Sequence, residues 1–168
     1  MPLSMSSASV PTFVQMLTAL SKILDKAAAH CTQKKIDPSV LLNMRLFPDM
    51  LPFTKQIQLA SDFAKNGAAR LSGVEAPKFP DEEKSFDELK ARIAKTVDFV
   101  NSVKPDKLDG TEDKDITFPV GPQSMTLKGE AYLVHFALPN FYFHATTAYN
   151  ILRHCGVEIG KRDFLGRA

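Results

Sequence analysis

Leu138-Pro139-Asn140-Phe141-Tyr142-Phe143-His144-Ala145-Thr146-Thr147-Ala148-Tyr149-Asn150-Ile151-Leu152-Arg153-His154-Cys155-Gly156 reads as a helix opened by proline and closed by glycine. Proline suits a first helical turn because its missing N–H would have no intrahelical partner there. Glycine adopts the left-handed conformation that follows a last turn. The helical pattern reaches back to about Glu130, so Pro139 either kinks a longer helix or begins the continuous one. Asn140, His144 and His154 could coordinate or hydrogen-bond a ligand. Any chemistry is expected to be organised in this stretch.

Three more helices precede it. Phe13, Leu17, Leu20, Leu24, Ala27 and Cys31 form one stripe, with Ser9 as the expected N-cap and Pro11 in the first turn. After a connector with a short helical turn around Pro38 to Leu42, a second helix is expected from Asp49 to Leu71, ending at Gly73. Met50, Phe53, Ile57, Ala60, Ala64, Ala68 and Leu71 form its stripe; Gly67 lies inside it and costs about 1 kcal/mol relative to alanine. Ser85-Phe86-Asp87-Glu88 fits a capping box that opens a third helix, with Phe86, Leu89, Ile93, Val97 and Val100 on one face. Pro105 stops it.

Between Asp113 and Gly129 the period drops to two. Ile116, Phe118 and Val120, then Met125 and Leu127, read as a short β-hairpin turning at Gly121-Pro122, with Pro119 marking an edge strand. The tail from Val157 reads as loop. Four helices with three connectors predict an all-α, up-down-up-down four-helix bundle, with the hairpin between helices three and four. That order would put the C-terminal ends of helices one and four at opposite poles, so Cys31 and Cys155 would lie beyond disulfide reach.

At 168 residues the chain reads as one domain over 1–168, large enough to bury a core without disulfides or a structural metal. A net charge of +2 with scattered basic residues lacks the stripe that tracks a phosphate backbone, which argues against nucleic acid. No window approaches eighteen uninterrupted apolar residues and no signal-peptide pattern opens the sequence, so a cytoplasmic protein with two free thiols and no membrane span is expected.

Met5-Ser6-Ser7-Ala8-Ser9-Val10-Pro11, Ala60-Ser61-Asp62-Phe63-Ala64-Lys65, Leu138-Pro139-Asn140-Phe141-Tyr142-Phe143-His144 and Gly160-Lys161-Arg162-Asp163-Phe164-Leu165-Gly166 resemble a bacterial family of uncharacterised proteins grouped with the DinB/YfiT-like helical bundles. The likeness covers essentially the whole chain. It implies a four-helix bundle, often a homodimer. In many relatives three histidines hold a divalent metal such as nickel, zinc or manganese: one on helix two and a His-x-x-x-His pair on helix four. Some of those relatives transfer low-molecular-weight thiols. Here His144 takes the place of the second histidine of the pair, and Asn140 stands where the first would be. Helix two has no histidine, so Asp49 is the nearest ionisable substitute and Gln56 a poorer one. Asp49, Asn140 and His144 form a degenerate metal site that suits a hard cation better than zinc or nickel.

Each of these residues also has a structural reading. His144 could be a core histidine bonded to a neighbouring acceptor, and Asn140 and Asp49 could be caps. His135 is nine residues before His144, on the opposite face, while His154 lies about 80° around the axis from His144. His154 and His30 suit helix C-termini. Phe141, Tyr142, Phe143 and Tyr149 suit core or a dimer interface, or, for Tyr142 and Tyr149, a pocket. His154 and Cys155 point about 100° apart and do not form a base–nucleophile couple. No phosphate loop, paired-cysteine zinc spacing or nucleophile elbow is present. Two functions follow: a bundle binding a small molecule without metal, or a metal-dependent thiol transferase or hydrolase. Whether the protein is an enzyme stays open at this point.

Overall fold

The structure, a computed structural model, describes residues 3–167. Its chain order is α1 (Met5–Lys34), α2 (Pro38–Leu42), α3 (Phe53–Ser72), α4 (Phe86–Ser102), α5 (Pro105–Leu108), β1 (Asp115–Val120), β2 (Gln123–Lys128), α6 (Gly129–Tyr132), a π-helical turn (Leu133–Ala137), α7 (Leu138–His154) and α8 (Lys161–Phe164). The protein is therefore mostly helical with one small antiparallel sheet. Among the described residues no helix is long and apolar enough to cross a membrane.

Local chemistry sets the boundaries. α1 starts four residues before the expected Ser9, because Ser4 and Ser7 cap it reciprocally. Pro11 consequently sits inside the helix, and Ser9 turns its hydroxyl back onto the Met5 carbonyl at 2.6 Å. α3 starts at Phe53 with Pro52 as its N-cap, which leaves Asp49 in the turn before the helix. Ser85 caps α4 by accepting from the Glu88 amide, but the Glu88 carboxylate reaches back to the Lys84 amide instead of closing the box on Ser85. Gly67 is explained by packing: a Cβ there would stand 3.2 Å from the Phe13 ring, so the glycine lets α1 approach α3 closely.

The hairpin has the expected register, with Phe118 opposite Met125 and Val120 opposite Gln123. Only Ile116 and Phe118 on β1 enter the core; Met125 is exposed. Gly129, where the hairpin joins α6, is compelled by a crossing chain, since a Cβ would fall 2.0 Å from the Thr111 carbonyl oxygen. The tail expected as loop contains α8, tied down by Asp163, whose carboxylate accepts from the Gly160 amide at 2.8 Å and pairs with Lys26 on α1.

The π-turn resolves how Pro139 is accommodated. The Leu138 amide donates to Leu133 O, five residues back, so the helix widens just ahead of the proline and continues.

The expected up-down-up-down order is not what the helices do. Phe13 meets Phe141 near the start of α1 and α7 (5.0 Å between rings), and Gly156 abuts His30 where both end, so these two run in the same direction. Phe53 and Phe86 meet at the starts of α3 and α4, which are parallel too. Ser6 bonds Asp109 beyond α4, and Arg70 late in α3 bonds Tyr132 ahead of α7, so each pair opposes the other. The long connection 73–85 makes this possible: it runs back along α3 before α4 begins. As a result the two cysteines sit at the same pole. Both are free, and burial, then Asp37 and Cys155, push the Cys31 thiol above its ordinary range.

Candidate functional site

The seam between α3 and α7 holds the only residue of the opening stretch whose chemistry burial has changed strongly. Gln56 is buried one turn into α3, and its Nε2 donates to the Leu51 carbonyl at 3.0 Å. That bond turns Oε1 towards α7, where it meets His144 Nδ1 at 2.7 Å. An amide oxygen only accepts, so Nδ1 carries the proton and Nε2 presents its lone pair. The imidazole stacks on Phe63 (5.6 Å between centroids, 16° between planes) and takes the edge of Phe143. Burial lowers its pKa from 6.5 to about 4. At neutral pH it is an uncharged ring with one free nitrogen.

The other expected site residues are arranged differently. Asn140 uses its side-chain Nδ2 to donate to the Phe136 carbonyl at 2.8 Å, a bond within its own helix rather than an N-cap. Asp49 is exposed in the turn before α3, and neither a hydrogen bond nor an ion pair joins it to His144. Its place against the imidazole is taken by Gln56, because Pro52 delays the start of α3. Tyr142 is exposed beside Phe141, whereas Tyr149 packs on Phe164 of α8, so the two tyrosines serve different neighbourhoods. His135 is exposed, and His154 closes α7.

This donor set does not fit the metal that the family likeness implies. One imidazole nitrogen and two carboxamides already engaged with carbonyls do not make the three-nitrogen face that zinc or nickel requires. Among the described residues no group of three or more His, Cys, Asp or Glu side chains is placed to hold a metal ion.

A second polar centre, between α3 and α4, was not legible from the residue types. Arg92 is 3% exposed. Its guanidinium bonds Asp62 at 3.0 Å, Asp81 at 3.0 Å, Glu83 at 3.0 Å and the Pro80 carbonyl at 3.1 Å. Lys65, also buried, pairs with Asp62 at 3.1 Å and lies over the Phe79 ring. Burial opposes the Arg92 charge, but the bond to Glu83 and the fields of Asp62, Glu83 and Asp81 outweigh it and raise its pKa. Likewise burial works against the Glu83 and Asp81 carboxylates, yet their bonds to Gln58, Lys55 and Arg92 hold both below their ordinary range. The network straps the 73–85 connection onto the helices. One available signal was the spacing of Arg92, three residues after Leu89 and one before Ile93, which puts it on the edge of the buried stripe.

Comparisons with known proteins agree with this architecture. The family described as "Domain of unknown function (DUF1993)" matches residues 5–165. A crystal structure of a DinB family member protein from Shewanella denitrificans is similar, at 41% sequence identity and a TM-score of 0.88, covering 96% of this chain and 91% of that one. No curated protein matches the chain.

Proposed function

Because the chain belongs to the DUF1993 family, a domain of unknown function with a DinB-like structure, we propose that it is a small-molecule-binding four-helix bundle whose metal position has become a neutral hydrogen bond. One observation carries the reading: Gln56 Oε1 holds His144 Nδ1 at 2.7 Å, so a single nitrogen, Nε2, is left as a donor atom where a metal would need three. An oriented, uncharged imidazole beside the aromatic faces of Phe63 and Phe143 suits an apolar ligand that brings a hydrogen-bond donor to Nε2. Thiol transfer through a metal is the rival reading, and the donor set speaks against it.

Metal analysis of untagged protein separates the two. The protein is incubated with excess nickel, zinc or manganese and then dialysed. Less than a tenth of an equivalent (about 0.1) should remain, since one imidazole with carboxamides binds such ions weakly. Retention of one equivalent that His144→Ala abolishes would overturn the proposal.

The reading includes a homodimer in a reducing cytoplasm. Phe143 is 56% and Val134 44% exposed, an apolar cost that a second copy would relieve, and two free thiols suit that compartment. Light scattering should give twice the chain mass and Phe143→Glu the monomer; a monomeric parent protein removes the dimer from the proposal.

A further inference from the structure

At the other end of α3, about 21 Å along its axis from Gln56, lies a cavity of about 460 Å³ where α3, the start of the 73–85 connection and β1 meet. Two cations line it, Arg70 and Lys114, together with Asn66 and Asp115. The arginine is held in place. Its Nη1 donates to the hydroxyl of the fully buried Tyr132 at 3.2 Å, and the guanidinium lies 5.4 Å from the centre of the Phe118 ring and 6.0 Å from that of Tyr132. Lys114 arrives from a different element and brings its ammonium against Gly73, where α3 ends.

Charge accounting sets this cavity apart from the Arg92 centre. Arg92 is surrounded by carboxylates, whereas among the described residues no carboxylate lies within ion-pair distance of Arg70 or Lys114. The one acid in the lining, Asp115, is engaged by Lys128 at 2.7 Å. The C-terminal end of α3 offsets only about half an elementary charge. One anchored guanidinium and one nearby ammonium therefore leave the cavity net positive. A guanidinium already clamped by a phenol and two rings loses little freedom when it binds a planar or tetrahedral anion through its remaining N–H groups.

We propose that this cavity binds the oxyanion group, carboxylate or phosphate, of a small metabolite, with Arg70 as the fork, Lys114 as the second charge and Asn66 as a neutral donor. The site is separate from His144 and stands or falls independently of the reading given for it.

The test follows the Arg70 Nε–Hε resonance of the full chain by 15N NMR while inorganic phosphate or acetate is added at constant ionic strength. A saturable shift with at least one anion is expected, the tighter anion identifying the headgroup, and the Arg92 resonance should stay in place. Lys114→Ala, at a surface position, should weaken binding at least threefold (roughly), and Arg70→Lys, which keeps the charge but not the fork, should do the same. His144→Ala should leave the affinity unchanged. The proposal is overturned if neither anion gives a saturable shift, or if Lys114→Ala binds as tightly as the parent protein.

Discussion

The two faces of α3 solve the same problem in opposite ways. Towards α7, Gln56 and His144 bury polar atoms without charge, and the imidazole gives up its proton to stay inside. Towards α4, Arg92 keeps its charge because Asp62, Asp81 and Glu83 surround it. The difference teaches where function can reside. The Arg92 guanidinium spends both terminal nitrogens on Asp62, Asp81, Glu83 and the Pro80 carbonyl, only its Nε being left without a partner, and its work is to hold a connection in place. A neutral ring with one nitrogen unclaimed retains binding capacity. Loss of charge on one face and compensation of charge on the other are the two ways this interior tolerates polar atoms.

Removing the charged centre should have the largest effect. Arg92→Met leaves the carboxylates of Asp62, Asp81 and Glu83 without their common partner, and the expected loss is about 3–5 kcal/mol in urea unfolding. A loss below 1 kcal/mol (roughly) would mean the network is not coupled to folding.

Acid should unmake the two faces in sequence. The pKa of His144 falls from 6.5 in the unfolded chain to about 4 when folded, so its contribution is complete above 6.5 and is lost as pH drops from 6.5 towards 4. That loss amounts to about 2–3 kcal/mol. The Asp81 and Glu83 carboxylates, held below their ordinary 3.8 and 4.5, contribute fully above those values and lose that contribution as pH falls below them. Unfolding free energy measured between pH 7 and 4.5 should slope downward in the parent protein and flatten in His144→Phe. Equal slopes in both would exclude the buried neutral ring.

Gln56→Glu turns the neutral face into a charged one. A carboxylate against Nδ1 favours the imidazolium and should raise the His144 pKa by roughly 1–3 units, read from its Cε1–H shift. An unchanged titration would show that the two side chains do not touch. At the bottom of the scale, exposed pairs such as Lys128–Asp115 belong to neither face, and Asp115→Ala should leave the urea-unfolding midpoint where it is in the parent protein.

Much of the fold was legible because its signals are local. The stripe from Phe13 to Cys31, the serine at Ser85, the Gly121-Pro122 turn and the short helix at Pro38 all depend on neighbours in sequence, and they stand where their pattern places them. Helix direction was not legible, because a connection as long as 73–85 can return along a helix or cross to the next one, and only packing decides. The site was half legible. His144 announced itself by type and spacing, but choosing its partner required the true first residue of α3, which Pro52 shifts past Asp49. Arg92 and Lys65 look like solvent-facing charges in one dimension. The carboxylates around Arg92 come from another helix and from a connection that carries no periodic signal.

The π-turn at Leu133–Ala137 sets the rotational phase of everything after it. Deleting one residue there would advance the downstream helix by about 100°. Ala145 would then occupy the position opposite Gln56, and His144 would swing to the exposed azimuth now held by Phe143. A single extra residue in the winding thus decides whether the imidazole is an interior group or a surface one.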